Sequence, residues 1–447
     1  MKVDIAGLKV DAISKAELLI EVISRIKASQ KTWVTTVYSE FLYAALKDPK
    51  IVELLNKANI AVPDGIGIFW AKKYLEIPLS FHSPPLKKGG LGGVKYWLMV
   101  LKACWQIKYS LAAILFNSKW IKSALPEKIV GADLIWDLAK LASDNNLSMF
   151  LLGGHGDTPE IVAAAMKAKY SGLKFVGSSN KNPGDPSTIT EINSLAPDIL
   201  LVAYGPLRQE KWIFENLLHL NVKFAMGVGG SFDYIAGKKS APPKFIRSFG
   251  LEWLWRLITQ PQRFKRIINA TFGLAWLLWH YKVFSNLPFR PNVATVITNK
   301  ENKILVCQRN PKDFHVDVVT TKDNLKSKNY WQLPQGGVDV KEDLIAAARR
   351  EAFEETGLKN LELFGVSTST HSYVWNNALR GFWKNRDKAN VGQKQNIVYF
   401  KFWGSDNEIK VDGEEFINYK WVKISELEKA VHPERLPLAK IIVVDLA

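Results

Sequence analysis

Apolar positions in the first 75 residues follow two alternating periods. Ala16–Ile26 and Phe41–Asn59 repeat at helical spacing, whereas Thr32–Val37 and Ile60–Val62 are short apolar runs that read as strands. The alternation resumes at Lys128. The pattern predicts helices over Asp133–Asp144, Pro159–Tyr170, Ile189–Leu195 and Glu210–Leu218. Between them it predicts strands over Met149–Leu152, Lys174–Val176, Ile199–Ala203 and Phe224–Val228. Most of these strands run into glycine turns: Pro63-Asp64-Gly65, Gly153-Gly154, Gly205-Pro206 and Gly229-Gly230. Strands alternating with helices imply a Rossmann-like, doubly wound α/β domain, whose ligands sit at the carboxyl ends of the strands. No strict G-x-G-x-x-G follows a strand, so a dinucleotide fingerprint is absent. Asp64 reads two ways here: as an ordinary Asp-Gly turn residue, or as a catalytic group at a strand end.

The pattern changes after Leu287–Pro291, which reads as a linker. Asn292–Thr298 and Lys303–Gln308 form a hairpin around Asn299–Asn302, and Pro311–Asn329 is a polar loop. Trp331–Gln335 leads into a Gly-Gly turn and a helix over Asp343–Thr356. Strands follow at Ile397–Trp403 and Tyr419–Val422, then a short helix at Ile424–Ala430. At 447 residues the chain is too long for one ordinary domain. The division is drawn at 1–286 and 287–447.

Two tracts break the first domain's rhythm. Between Glu76 and Glu127 there is no acid, while seven lysines from Lys87 to Lys122 and the tryptophans Trp97, Trp105 and Trp120 interleave with apolar runs. This 77–126 insertion reads either as a helical hairpin packed on the core or as an interfacial membrane segment. The second tract, 252–286, carries Arg256, Arg263, Lys265, Arg266 and Lys282 among Trp253, Trp255, Trp276 and Trp279. Charge follows the same division. Through Arg290 there are 37 basic and 22 acidic residues, and 23 and 21 after it. Long Leu, Ile and Trp runs favour an anionic membrane surface over RNA as partner, because a phosphate backbone needs exposed charge rather than apolar faces. No stretch of the sequence reaches the ~20 continuous apolar residues that span a bilayer, and the N-terminus does not read as a signal peptide. Two distant cysteines, Cys104 and Cys307, offer no disulfide framework. The expected location is the cytoplasm, peripherally on the inner face of the plasma membrane; self-association is an open expectation.

The densest chemical signal is Gly336–Leu358. Glu351, Glu354 and Glu355 fall at i, i+3, i+4 and share one helical face. Such a face is either a solvated acidic surface or a site for a hard divalent cation. Gly336-Gly337 in front, Glu342, Arg350-Glu351, Glu354-Glu355 and Gly357-Leu358 together resemble the signature of the Nudix hydrolases, with Ala352 at a position where a bulkier apolar residue is usual. The resemblance implies an α/β/α sandwich with a mixed sheet and metal-assisted attack of water on a phosphoanhydride. It implies Mg2+ or Mn2+ held by Glu351, Glu354, Glu355 and Glu415, Glu354 or Glu351 acting on the water, and Arg350 orienting a glutamate. Arg290–Val293, Trp331–Gly337, Gly392–Gln395 and Glu415-Phe416 are similar to the branch acting on RNA 5′ ends and dinucleoside polyphosphates. A nucleoside polyphosphate or capped nucleotide is therefore the implied substrate. A nucleotide-sensing module without turnover is the rival reading.

The first domain resembles a second family. Thr35–Glu40, Val62–Gly67, Gly131–Leu134, Phe150–Gly154, Pro197–Leu200, Gly205–Glu210, Gly227–Asp233 and Gly250–Arg256 with Pro261 and Arg263 occur in the order of the WecG/TagA/CpsF glycosyltransferases. The resemblance implies inverting transfer of an N-acetylhexosamine-type sugar from a UDP-sugar to a polyprenyl-diphosphate-linked acceptor in cell-surface polysaccharide synthesis. No cofactor is expected for this step. Asp64 becomes the catalytic base, with Thr36 beside it. The substrate cradle falls to Gly65, Gly153, Gly154, Gly205, Pro206, Arg208, Gln209, Glu210, Gly229, Gly230, Asp233, Arg256 and Arg263, as Gly336 and Gly337 do in the second domain. Tyr38 stands where that family usually has Asn. Ser240–Pro243 replaces an Arg-Ala-Pro, leaving Lys238, Lys239 and Lys244 as substitute point charges. RNA recruitment by this half is its rival function.

Overall fold

The computed structural model describes residues 1–446 apart from 80–90, 241, 244–245, 247–249, 288, 312–329, 340, 375–389 and 391; for 91–96 it gives the helix path alone. Two compact units divide the chain: Met1–Leu79 with Leu101–Lys282, and Ser80–Val100 with Val283–Ala447.

In the first unit, β3 (Thr32–Val37), β4 (Ile60–Pro63), β5 (Ser148–Gly153), β6 (Lys174–Ser179), β7 (Ile199–Ala203) and β8 (Phe224–Gly227) form one parallel sheet, ordered β4-β3-β8-β7-β5-β6. Side chains alternate between its faces. Val34, Leu151, Leu201 and Met226 enter one core; Phe150, Leu152, Leu200, Val202 and Ala225 enter another. Burial on both faces explains why these strands read as apolar runs. An unforeseen antiparallel hairpin, β1 (Lys2–Ile5) and β2 (Leu8–Asp11), precedes the sheet. Its strands are only four residues each, too short for a period to show.

Three expectations need correction. The helix expected over Phe41–Asn59 is two, Ser39–Lys47 and Pro49–Asn56. Pro49 lacks the N–H that would continue the first helix, and the Asp48 side chain instead caps the second by accepting Lys50 N–H at 3.0 Å. Among its described residues, the 77–126 tract is not a hairpin of two comparable helices. It holds one 26-residue helix, Leu91–Phe116, followed by the short Ser118–Lys122. Within it Trp97–Phe116 is long and apolar enough, by length and composition, to cross a membrane, with mean hydropathy 1.3. Lys102 and Lys108 interrupt the apolar run in the sequence, yet the helix stays apolar on average despite them. The 252–286 tract is a chain of helices: Glu252–Thr259, Phe264–Ile268, a π turn, then Leu274–Ser285.

The second unit is a mixed sheet between helices. β9 (Phe289–Thr298), β10 (Lys303–Arg309), β11 (Trp331–Gln332), β12 (Gln335–Gly337), β13 (Leu361–Val374), β14 (Gly392–Phe402) and β15 (Phe416–Lys423) run β11-β10-β9-β14-β13, with β12 on β9 and β15 on β10. Among the described strands of this sheet, only the β9–β14 pair is parallel. The helix Leu344–Thr356 packs Ala347, Ala348 and Ala352 against one face. Leu436–Asp445, which the sequence reading missed, packs Leu438, Ala439 and Ile442 on the other. β13 was missed as well: it is largely exposed, so it shows no buried alternation. Most of the expected 311–329 loop lies outside the described residues.

Candidate active sites

A cavity of about 820 Å³ opens in the first unit at the carboxyl ends of the parallel strands. Thr36, Asp64, Gly65, Gly154, Gly205, Pro206, Arg208, Gln209, Gly229, Gly230, Asp233, Arg256 and Arg263 all line it. Of the residues expected from sequence in this unit, Gly153 and Glu210 are not among its lining.

Asp64 follows β4 directly, and its own N–H reaches back to Val37 carbonyl at 2.7 Å. Its carboxylate accepts the N–H of Gly131, the first residue of the helix Gly131–Asp144, at 3.2 Å. Gly131 lies against both groups: a Cβ there would stand at ordinary van der Waals distance, 3.4 Å, from Asp64 Oδ2 and Thr36 Oγ1. Burial raises the Asp64 pKa to about 6; the Gly131 hydrogen bond opposes this, the Glu252 carboxylate adds to it, and Arg256 and Lys128 pull it down. A carboxylate tuned this way can take a proton near neutral pH. Neither Lys128 nor Glu252, which pair at 3.2 Å, was foreseen, because 124 positions separate them and no spacing announces the contact.

Glu210 stands behind the wall. It is 1% exposed, accepts Leu207 N–H at 2.8 Å and Gln209 Nε2 at 3.0 Å, and burial raises its pKa to about 7. Gln209 Oε1 accepts Gly229 N–H at 2.9 Å. The pair thus braces two substrate-facing loops together. It needs Gly227, whose Cβ would come within 2.4 Å of Gln209 Nε2. Gly153, at φ +87°, is similarly structural: a Cβ there would meet the Ala203 backbone at 2.9 Å.

Cations crowd the cavity but differ in availability. Lys239 is paired with Asp233, and Arg266 with Glu40 at 2.5 Å. Lys238 ties Asp157, Thr158 and the His155 carbonyl together. The two described lysines expected to replace the absent arginine are therefore already engaged; Lys244 lies outside the described residues. Arg256 keeps a buried Nε without a hydrogen-bond partner. Arg256, Arg208 and Arg263 are the cavity's arginines without an ion pair among the described residues.

The second unit builds its site on one helix. Asp343 caps Leu344–Thr356 by accepting Ile345 N–H and Ala346 N–H at 3.0 and 3.3 Å, and Gly357, at φ +73°, closes it. Arg350 is a hub rather than an exposed helical pair. It grips Glu342 through Nε and Nη2 at 2.8 and 2.9 Å, Glu351 and Glu354 through Nη1 at 2.7 and 3.1 Å, and the Gly337 carbonyl at 2.8 Å. A Cβ on Gly336 would fall 1.9 Å from the Glu351 carboxylate, so the Gly-Gly strand must be bare there. Glu355 is 4% exposed and accepts Gln335 N–H at 2.9 Å. Burial, then the Glu415 carboxylate, hold its pKa well above the usual carboxylate range. Among the described residues, no three acidic, His or Cys side chains already stand at metal-ligating geometry. The donor set nonetheless suits a divalent cation: hard carboxylate oxygens, Glu355 buried beside Glu415, and a glycine cradle above Glu351.

The folds and sites define a class: a glycosyltransferase domain joined to a Nudix hydrolase domain. The chain belongs to the glycosyl transferase WecG/TagA/CpsF family, whose model matches residues 3–85 and 112–287. A NUDIX domain matches residues 288–442. The interval 86–111, unmatched by either, falls within the lysine- and tryptophan-rich tract. The second domain is similar to an RNA pyrophosphohydrolase of Pelagibacter ubique (strain HTCC1062), 38% identical over 35% of this chain and 89% of that protein. The first is similar to the N-acetylglucosaminyldiphosphoundecaprenol N-acetyl-beta-D-mannosaminyltransferases of Bacillus subtilis (strain 168) and Staphylococcus aureus (strain MRSA252). These are 26% and 25% identical, over 53% and 60% of this chain and 75% and 88% of theirs.

Proposed function

We propose that the first domain transfers an N-acetylhexosamine-type sugar from a UDP-sugar to a polyprenyl-diphosphate-linked acceptor, with inversion. The observation that carries this is Asp64, tuned to about 6 on a cavity that also presents Arg208, Arg256 and Arg263. Asp64 takes the proton of the acceptor hydroxyl as its oxygen bonds to the anomeric carbon. The bond from that carbon to UDP breaks on the opposite face, and the arginines stabilise the departing diphosphate. Thr36, beside Asp64, orients the acceptor. A screen of UDP-sugars with an undecaprenyl-diphosphate-GlcNAc analogue should find one productive donor, and Asp64→Ala should lower that transfer about 10³-fold. Turnover unaffected by Asp64→Ala would remove the base assignment.

The second domain hydrolyses a phosphoanhydride in a nucleoside polyphosphate, capped nucleotide or nucleoside-diphosphate-linked compound. Glu351, Glu354, Glu355 and Glu415 would hold Mg2+ or Mn2+. Bound there, the ion supplies positive charge against the phosphate oxygens. Arg350 fixes Glu351 and Glu354 in direction, and exposed Glu354 is placed to receive a proton from the attacking water. Phosphate-release assays across UDP-sugars, dinucleoside polyphosphates and 5′-triphosphate RNA would identify the substrate. Glu354→Gln retaining full turnover would rule out this role. Because transfer releases a nucleoside diphosphate, hydrolysis of such products by the second domain is a natural pairing. Cleavage of RNA ends alone would dissolve it.

A lipid-linked acceptor requires approach to a membrane surface. Trp97, Trp105, Phe116, Phe272 and Trp276 are each more than half exposed, beside lysines and arginines of the two basic tracts. Flotation with anionic vesicles should recover the chain, and Trp105→Glu with Trp276→Glu should release it. Retention of RNA instead of vesicles would favour the RNA-recruiting reading.

A further inference from the structure

Gln332 ends β11. Its side chain is completely buried, and neither the amide oxygen nor the amide nitrogen has a hydrogen-bond partner. A primary amide brings two N–H donors and a carbonyl acceptor, and burying them unpaired is costlier than burying an apolar side chain of equal size. Packing alone therefore gives no reason for glutamine. An orphaned amide in an otherwise tight core points to a bound water or ligand group that satisfies it.

The strand register shows where the amide faces. Gln332 is the cross-strand partner of Cys307 on β10, so both side chains leave the sheet on one face. Cys307 lies in the core beneath the carboxylate helix, with Ala347, Ala348, Ala352 and Phe416. Leu333 and Trp331, on either side of Gln332, pack with the opposite core. The Cys307 thiol is pushed up by burial, with the Glu355 and Asp412 carboxylates adding to the shift, so this face lies within electrostatic reach of Glu355. Three residues after Gln332, the N–H of Gln335 is already donated to Glu355 at 2.9 Å. The orphaned amide thus stands on the sheet floor beneath the buried end of the carboxylate cluster.

We propose that Gln332 is a positioning residue of the hydrolase site: its amide holds an ordered water that hydrogen-bonds the Glu355 carboxylate and fixes it toward the cation. The proposal rests on reading this helix as a divalent-cation site. An amide suits the task. It donates to a carboxylate without bringing positive charge to compete with the cation. It also adds no negative charge to a cluster that already holds Glu351, Glu355 and Glu415. Outer partners of metal-binding side chains set affinity in this way.

The test is Mn2+ titration of the full chain, reading free Mn2+ by electron paramagnetic resonance, with thermal unfolding alongside. Gln332→Met keeps the volume and removes both orphaned atoms. It is expected to weaken Mn2+ affinity about tenfold while leaving the unfolding midpoint unchanged or higher. Unchanged affinity would overturn the role. If the methionine variant does not fold, Gln332→Asn, which withdraws the amide by one methylene, decides alone: weaker binding supports the proposal and wild-type binding overturns it. A wild-type chain that binds no Mn2+ overturns both this proposal and the cation-site reading beneath it. Tight wild-type binding with unaffected variants overturns Gln332 alone.

Discussion

The two sites carry opposite charge toward the phosphate-linked substrates proposed for them. On the readings proposed above, the cavity of the first unit carries its positive charge in side chains, Arg208, Arg256 and Arg263, and keeps one tuned carboxylate for the proton. The second unit gathers carboxylates and relies on a bound cation for the positive charge. Resident arginines must converge from loops far apart in sequence, so the first site spans residues 36 to 263. A cation can gather most of its ligands where they are already neighbours: one helix supplies three at i, i+3, i+4, and Glu415 alone comes from elsewhere in the sequence. Dispersal and compactness here follow from where each site keeps its charge.

The sharpest way to break this contrast is Asp64→Ala. If the first site depends on one proton acceptor, transfer should fall about 10³-fold, with phosphoanhydride hydrolysis unchanged. Loss of both activities would mean that the two sites are not separable. The converse is Gly336→Ala. A methyl there overlaps the Glu351 carboxylate and must push it out of its place beside Arg350. Displacement on the ångström scale costs about 10²-fold in rate, so hydrolysis should drop by that order while transfer persists. Parallel assays on the full chain check both.

The same contrast explains what could be read from the sequence. Glu351, Glu354, Glu355 and Arg350 were legible as a group because their relative placement is set by helical spacing within six residues. The parallel sheet was legible because strands buried on both faces are continuous apolar runs. Asp64 alone was ambiguous between turn and base, and only an ordered set of short matches along some 230 residues singled it out. Its electrostatic surroundings were not legible at all. Glu252, Arg256 and Lys128 reach it through tertiary folding, and Gly131 reaches it through a backbone N–H that any residue type would offer. Glu210 was hard to place for a related reason: a match to a short motif does not say whether a residue faces the cavity or, as here, lies buried behind its lining. β13 escaped because an exposed edge strand has no buried face to mark it.

A smaller effect sharpens the account of Asp64. Its native pKa of about 6 lies above the unfolded value of 3.8. Ionisation therefore works against the fold: the contribution is fully favourable below the unfolded value and is lost as pH rises through about 6. Catalysis runs the other way, because the base must be ionised, so transfer should rise with pH and level off above about 6. Asp64→Asn keeps the shape and removes the charge. It should abolish transfer yet raise stability above pH 6 by about 1 kcal/mol, the shift being discounted for partial solvent access. Thermal unfolding on both sides of pH 6 checks the sign: a stabilisation that is larger at low pH would contradict the burial argument.

The smallest effect concerns the helix starts. Both sites put an aspartate at a helix N-terminus, but for different purposes. Asp64 accepts one N–H, from Gly131, and keeps its carboxylate on the cavity. Asp343 accepts two, from Ile345 and Ala346, and is a cap. Asp343→Ala should therefore cost about 1 kcal/mol of stability, seen as a lower midpoint for the unfolding transition of the second unit, with hydrolysis by the folded fraction nearly unchanged. That outcome separates the aspartate that holds a helix from the one that does chemistry beside it. A large loss of hydrolysis at full stability would show instead that the start of the carboxylate helix belongs to the site, and that its compactness extends one turn further than the glutamates.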